Sequence, residues 1–596
     1  MQKTGTVAAL CLVLLLFAAC TAKPSEETSL PAESGTPPIE TMVDTGASAA
    51  SSEQSLGRVT GVTAEPGDFS ATVRWEEVPG ADGYCIYKSA DGSDFTPYKY
   101  SSHTGKSFSG LSNGVEYSFA VAAYKILDGR EVFGEMSDAV TVTPVNARLS
   151  MSNSYLVLSS GEERQLSCRL YDEKQTALWS SSDETVVKVD DAGLLRAVGA
   201  GKAKITAALK DDDTQTTSCT VEVDRTCPAP ETTREPRYIK TEDGLWTNEG
   251  DGEKATLMFT GDLMATQAQM KAADKGDRFH YDFSPSFRFV GEQFEKADLV
   301  VGNLETTLCE RFPYSHDLLR YKKISNCNTS PCYLNALRDV GFDLLTTANN
   351  HYCDAGLNGV TDTIRHLDDY RFMHVGTYLS RGDDRFVLLD VNGIKVAVIN
   401  YNQKSTNGKD EMLSDKEQKD MLGKFYRSRV PEDIAAARER GAEWIIACIH
   451  FGSQNTVAVN ETQEGIALYL ADMGADLIIG THPHLLQKFD YVTASDGRVV
   501  PCAYSLGNFS SSMAELDANQ ETVILRVDIE KKNGGIAVTD ITYTPYLILP
   551  ELDGEKYVIT PTSLDSGLLP EEDREWLSSA RESILETIGD KIKPCD

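Results

Sequence analysis

The chain has 596 residues, several times the roughly 100 to 200 of one domain, so about three or four folded units are expected and a single small module is excluded. Hydrophobic residues make up 41% and charged residues 25%, enough apolar material to bury real cores, which argues against wholesale disorder. Ninety Asp and Glu against 57 Lys and Arg leave a formal charge of -33, a field that repels a phosphate backbone and argues against nucleic acid as a partner.

In chain order, residues 1–20 read as a targeting segment: Lys3 in a short polar start, Val7 to Phe17 as an apolar run, then Ala18-Ala19-Cys20. The run is too short for a stable membrane-spanning helix. Small residues directly before a cysteine resemble the lipobox of bacterial lipoproteins, which implies cleavage before Cys20 and acylation of its thiol. The expectation is an extracytoplasmic lipoprotein at the cell surface, held to the membrane by its lipid. The alternative, an ordinary cleaved signal with Cys20 incidental, leaves the position of the cysteine unexplained. Residues 21–57 are rich in Ser, Thr, Pro, Ala, Gly and Glu and read as a disordered linker.

Residues 58–145 alternate with period two at Ala71, Val73 and Trp75, at Tyr84 and Ile86, and from Tyr117 to Ala123, with turns such as Pro79-Gly80. This predicts an antiparallel β-sandwich. Trp75 on an early strand, the Leu111 to Tyr117 spacing and the closing Thr143-Pro144 resemble a fibronectin type III domain. Such a module binds glycan or protein or serves as a spacer; with no charged or aromatic surface cluster legible, the spacer is favoured. Residues 147–224 form a second all-β segment. Its run from Trp179 to Asp183, through Val187-Lys188-Val189, to Gly193–Gly201 is similar to the group 2 bacterial Ig-like domains, which occur in surface proteins. Residues 225–250, rich in Pro, Thr and charge, read as another linker. Of thirteen cysteines eleven lie beyond Cys20, an odd number that cannot all pair within one chain; Cys168 with Cys219 is one candidate bridge.

From residue 254 strands alternate with helical stretches, which predicts an α/β domain. Five apolar runs end in polar residues of metal-ligating type: Leu257–Thr260 before Gly261-Asp262, Leu299–Val301 before Gly302-Asn303-Leu304-Glu305, Phe342–Ala348 before Asn349-Asn350-His351, Trp444–Ile449 before His450, and Leu477–Ile479 before Gly480-Thr481-His482-Pro483-His484. In open α/β sheets ligands bind outside the carboxyl ends of strands, so these ends are expected to converge. Carboxylates, an Asn oxygen and imidazoles suit Mn, Fe or Zn. Two such ions roughly 3.5 to 4 Å apart can clamp both ends of an in-line phosphoryl displacement. Each residue alone has a dull reading as a turn, cap or core group. Of nine histidines, however, four fall at these strand ends, whereas His103, His280, His316, His366 and His374 have no such context.

The order Gly-Asp, Gly-Asn-Leu-Glu, Ala-Asn-Asn-His with Asp354 and Gly356 following, a strand-end His450, Gly-Thr-His-Pro-His and Ser505-Leu506-Gly507-Asn508-Phe509 resembles the CapA family of capsule (poly-γ-glutamate) synthesis proteins over residues 254–512. The resemblance implies a calcineurin-like metallophosphoesterase fold, a β-sandwich flanked by helices. Carried over by motif, it implies two divalent ions, with Asp262 and His484 on the first, Glu305 bridging, and Asn350, His450 and His482 on the second. It implies His351 as the general acid, with Asn303, Asp354 and Asn508 as substrate or supporting contacts. Three departures stand out: Met264 where metallophosphoesterases carry the histidine of Asp-x-His, Glu305 chosen as the bridging carboxylate, and Gln454 where many members have Glu.

The resulting expectation is a phosphoesterase-like hydrolase acting on a phosphoester or an anionic polymer, alongside membrane-bound synthesis machinery. Contact with a polyanion would be local to the metal site or to basic residues such as Arg320 to Lys323. The alternative is a non-catalytic scaffold organising such a complex; adhesion through the β-modules ranks last. Residues 513–596 are read as a closing sheet edge and a surface helix.

Overall fold

In the computed structural model the described residues are 56–595, excepting 68–69, 91–94, 102, 128–129, 145–148, 171–174, 227, 277–278, 318–326, 407, 515, 533 and 565–568. The targeting segment with Cys20, the 21–55 stretch and the basic run Arg320 to Lys323 lie outside them. Among the described residues no helix is long and apolar enough to cross a membrane. The chain divides into two compact units, Met1–Val145 and Asn146–Asp596.

The first unit is an all-β sandwich. One sheet holds Thr63–Gly67, Ser70–Arg74 and Gly105–Ser109; the other holds Thr96–Ser101, Gly83–Ala90, Tyr117–Leu127, Arg130–Phe133 and Val140–Val142. The alternating Ala71, Val73, Trp75, Tyr84, Ile86, Phe119 and Val121 all turn inward into one core. An aromatic cluster that sequence reading missed lies in this unit: Tyr100, Tyr124 and Phe133 touch with ring centroids 5.7 and 5.8 Å apart, and Tyr100 and Phe133 are exposed. These residues come from three strands, so only their pairing assembles the cluster. Gly83 makes room for it, since a Cβ there would meet the Tyr124 ring.

The second unit begins with the Ig-like sandwich. Tyr155–Leu158, Asp212–Val223, Gly201–Leu209 and Ala177–Ser181 form one sheet, and Glu163–Gln165, Leu194–Ala197 and Val187–Val189 another. Cys168 and Cys219 are free thiols, which corrects the candidate bridge. Cys168 lies on a strand paired with Leu149–Met151, whereas Cys219 points into the core beside Ile205 and Val221.

A buried ion pair welds this sandwich to the following domain. Arg225 donates through Nε to Glu222 Oε2 at 2.9 Å and through Nη2 to Asp317 Oδ2 at 2.5 Å, and its guanidinium stacks on Tyr314 at 4.1 Å. Tyr155 donates its hydroxyl to the same Glu222 oxygen at 2.7 Å. Burial pushes the Glu222 carboxyl up, and Arg225 with the Tyr155 hydroxyl outweighs it, leaving the group below the usual carboxylate range.

Residues 225–250, expected as a linker, are instead held against the domain. Arg237 donates to Asp343 Oδ1 at 3.0 Å and to the Ala297 and Gly341 carbonyls, and Trp246–Thr247 adds a strand beside Phe386–Val391. Low apolar content hid this, because the segment is anchored by charge and backbone pairing rather than by a hydrophobic stripe.

The remaining domain is two stacked sheets flanked by helices. One runs Trp246–Thr247, Phe386–Val391, Ile394–Asn402, Trp444–His450, Leu477–Thr481, Val499–Ala503, Phe489–Thr493. The other runs Met373–Val375, Leu344–Thr346, Leu299–Leu304, Lys254–Leu263, Glu521–Lys532, Gly535–Leu552, Glu555–Pro561, with Asn508–Ser510 pairing Lys254–Leu263. Leu257, Phe259 and Val301 from one sheet and Val396, Ile446 and Ile479 from the other fill the layer between them.

Helices cover the outer faces, as buried parallel strands require. Glu461–Met473 shows how the sequence sets one: Asn460 accepts from the Gln463 amide, Gly474 closes the helix in the left-handed region, and Ile466, Ala467, Leu470 and Ala471 pack on the sheet. The C-terminal segment closes one side of the second sheet, with Glu555–Pro561 at its edge. Glu521–Lys532 is an interior strand beside Lys254–Leu263, because Val523, Ile524, Leu525 and Val527 are buried on both faces. Helix Glu571–Ile588 buries Leu577, Ala580, Ile584 and Ile588.

Candidate metal centre

Lys254–Leu263, Leu299–Leu304 and Leu344–Thr346 are mutually parallel neighbours, as are Ile394–Asn402, Trp444–His450 and Leu477–Thr481 in the facing sheet. Parallel strands deliver their carboxyl ends to one edge, so the five motif-bearing ends meet where the two sheets face each other. Close backbone approach explains two motif glycines. A Cβ on Gly261 would lie 1.9 Å from the Gly507 carbonyl oxygen, and one on Gly480 would lie 2.1 Å from that of Tyr504. His482 and His484 have φ of 100° and 58°, left-handed conformations that cost about 1–3 kcal/mol each and persist where the surroundings impose them.

Two side-chain clusters share Glu305. Asp262, Glu305 and His484 offer ligand atoms within 4.8 Å of one another, and so do Glu305, His450 and His482. Glu305 Oε1 lies 3.6 Å from His450 Nε2 and 3.9 Å from His484 Nε2, and His484 Nδ1 lies 3.2 Å from Asp262 Oδ2. His450 Nδ1 is 2.9 Å from Thr481 Oγ1, and its Nε2 faces both Asn350 Oδ1 at 2.7 Å and His482 Nδ1 at 3.0 Å. Asn303 donates its amide to Asp262 Oδ1 at 2.8 Å, and Asn508 Oδ1 lies 3.0 Å from His484 Nδ1. These two orient Asp262 and His484.

The donor set fits cations. Both Glu305 oxygens and Asp262 Oδ2 are buried without a hydrogen-bond partner, an arrangement that is costly unless a positive charge meets them. Burial, with Asp262 alongside, raises the Glu305 carboxyl well above the usual carboxylate range. Burial lowers His450 well below the ordinary histidine value and His482 to about 2, with neighbouring imidazoles adding to both shifts. Without a cation, burial therefore favours a proton on Glu305 and neutral rings at His450 and His482. Cation entry must expel that proton, so affinity falls with falling pH, by up to about tenfold per pH unit for one proton. Calorimetric Mn(II) titrations in two buffers of different ionisation enthalpy, repeated at several pH values, are expected to report proton release that grows as pH falls; no release at any pH would refute the assignment of Glu305.

A third group lies beside these clusters. His351 Nδ1 is 2.8 Å from Asp354 Oδ2, and His351 Nε2 is 3.9 Å from Glu305 Oε1. Lys409 donates to Asp354 Oδ1 at 2.6 Å and the Cys327 amide donates to Asp354 Oδ2 at 2.6 Å. Burial alone would lower the His351 ring, but the Cys327 sulfur and Asp354 carboxylate outweigh it, so it stands well above the ordinary histidine value. A protonated ring with Nδ1 held by Asp354 leaves Nε2 to donate.

Every expected ligand thus lies in one place: Asp262, Glu305, Asn350, His450, His482 and His484, with His351, Asp354, Asn303 and Asn508 around them. Met264 is outside; it is buried with its sulfur 3.8 Å from Ser511 Oγ. Gln454 reaches the site, with Nε2 3.5 Å from His484 Nε2. Sequence reading missed Cys327, Thr481, Lys404 and Lys409. Thr481 stands inside a quoted motif, whereas Lys409 is 55 positions from Asp354 and carries no spacing signal. His366 is bonded to Glu310 and His374 to Asp368, away from the centre.

Residues 256–513 match the family model for the bacterial capsule synthesis protein PGA_cap, and residues 140–221 match the group 2 bacterial Ig-like domain. The PGA_cap match thus falls on the C-terminal domain, over less than half of the chain. The chain is 26% identical over 298 residues to the capsule biosynthesis protein CapA of Bacillus anthracis, covering 49% of this chain and 67% of that one. It is 26% identical over 253 residues to the PGA biosynthesis protein CapA of Bacillus subtilis, covering 42% and 62%. The chain thus spans about two thirds of the length of these curated relatives. Among solved structures it is similar to the calcineurin-like phosphoesterase YfkN of Bacillus subtilis, at 17% identity over 56% of this chain and 98% of that one, with a TM-score of 0.31. The region matched by PGA_cap accordingly has two stacked sheets with the two Glu305 side-chain clusters at their shared edge.

Proposed function

We propose that the PGA_cap domain is a two-cation hydrolase of phosphoesters acting in the synthesis of an anionic envelope polymer such as poly-γ-glutamate, carried outside the membrane on a lipid at Cys20. The observation that supports this reading best is Glu305, a buried carboxylate shared by two ligand clusters and lacking any hydrogen-bond donor. Asp262, Glu305 and His484 would hold one divalent ion, and Glu305, Asn350, His450 and His482 the other. When bound, the ions supply Lewis-acid charge for in-line phosphoryl displacement. Asn303 and Thr481 keep Asp262 and His450 oriented. His351, its Nδ1 fixed by Asp354, delivers the Nε2 proton to the leaving oxygen. Lys409 holds the other Asp354 oxygen, which fixes that carboxylate against His351 Nδ1.

A second reading, a non-catalytic scaffold for membrane-bound synthesis machinery, is favoured by one observation: Met264 contributes nothing, so the first cluster has three protein ligands. Metal content per chain, measured by mass spectrometry on protein purified without chelators, separates the two. About two transition-metal ions per chain are expected, and a chain that stays metal-free after addition of Mn(II) or Zn(II) would sink the hydrolase reading.

A further inference from the structure

Lys404 stands just past the end of Ile394–Asn402, where Asn402 is in register with His450. Its backbone is tied to the centre on two sides. The Lys404 amide donates to Asn402 Oδ1 at 2.8 Å, and Asn402 in turn donates to the Asn349 carbonyl at 3.0 Å. Gln403 N donates to the His450 carbonyl at 3.0 Å. The side chain turns the same way: Nζ donates to the carbonyl of Gly452, two residues beyond His450, at 2.6 Å.

Among the described residues the charge of Lys404 has no ion-pair partner. Neighbouring lysines have carboxylate partners, Lys409 with Asp354 and Lys424 with Asp410, both at 2.6 Å. Among the described residues Lys404 has the Gly452 carbonyl as its side-chain partner and no ion pair. An ammonium has three N–H donors, so two remain for a ligand or water. Lys404 is half-buried, and its charge helps to lower both His450 and His482. A half-desolvated cation without a counter-ion is unfavourable unless an anion joins it. In a chain of net charge -33, carboxylates are plentiful, yet none of the described ones pairs with this ammonium.

We propose that Lys404 is the residue that recognises the substrate, its spare N–H donors binding an oxyanion oxygen of the group presented to the two clusters. This rests on the hydrolase reading and narrows it: the substrate carries a terminal oxyanion at the reacting end, and Lys404 makes a charge-assisted hydrogen bond to it. Phosphate and carboxylate share that chemistry, and the test separates them.

The full chain is loaded with Mn(II), and inorganic phosphate and glutarate are titrated in separately by calorimetry, with Lys404→Ala and Lys404→Arg alongside and metal content measured for each. Phosphate is expected to bind the parent chain and to weaken about tenfold in Lys404→Ala at unchanged metal content. Lys404→Arg, which keeps the charge and donors, is expected within about threefold of the parent. If glutarate alone shows the Lys404-dependent loss, oxyanion recognition stands and its source is a carboxylate. Equal affinity of Lys404→Ala and the parent for both anions, or no binding of either by the metal-loaded parent, overturns the proposal. A parent chain that takes up no Mn(II) instead overturns the hydrolase reading, and the same anion titrations on that metal-free chain still decide whether Lys404 binds an oxyanion.

Discussion

His351→Ala is expected to keep its full metal content while turnover falls about 10²- to 10⁴-fold, the range over which a positioned general acid contributes. The reason is geometric. His351 belongs to neither Glu305 cluster; its Nδ1 is taken by Asp354, and its removal leaves every proposed ligand with its neighbours. His482→Ala is expected to lose metal as well. It removes one of three donors around Glu305 and leaves His450 Nε2 with Asn350 alone. Mass spectrometry and a phosphoester assay on the two variants check this, and equal metal loss in both would refute the assigned roles. The pH profile carries a further sign. His351 stands above its ordinary value, so the acid form is present at neutral pH and turnover declines as pH rises through its folded value. That alkaline limb should vanish in His351→Ala.

Arg225→Ala is expected to cost about 3–5 kcal/mol of stability, the effect of leaving buried charges without their partner. Glu222 is 0% and Asp317 6% exposed at the side chain, so neither recovers its charge by hydration. Adding Glu222→Gln and Asp317→Asn to the variant should restore much of the loss, because the stranded charges are removed with the cation. Urea unfolding of the full chain, read by midpoint, measures both. The sign with pH follows from Glu222. Its folded value is lowered, so its contribution is present above the usual carboxylate range and lost as pH falls through the folded value. The gap between Arg225→Ala and the parent chain should therefore narrow on acidification. A variant as stable as the parent would mean that the Ig-like sandwich and the PGA_cap domain are held together by other contacts.

The candidate centre was unusually legible because its ligands sit at strand ends. A strand leaves a local apolar run in sequence, and parallel neighbours must put their carboxyl ends on one edge; the five runs ending at Asp262, Glu305, His351, His450 and His484 therefore pointed to one place before any coordinates. The same local signal failed for residues 225–250, where Arg237 replaces an apolar stripe, and it gave a strand but no partner for Glu521–Lys532, whose place inside the sheet depends on pairing with Lys254–Leu263. It also missed the aromatic set of the first unit, because Tyr100, Tyr124 and Phe133 meet only across strands.

Sequence by itself determined the two β-modules, the change to α/β grammar near residue 254 and the polar residues that end the five apolar runs, all of which follow from burial periodicity and residue chemistry along the chain. Only the tertiary structure decided that Glu305 is shared, that Asp354 lies between His351 and Lys409, that Lys404 turns toward Gly452 without a carboxylate, and that Arg225 joins two modules. Those are pairings of polar groups far apart in sequence. Their energy depends on distances of a few ångströms set by strand register and loop packing, and periodicity along the chain carries no record of them.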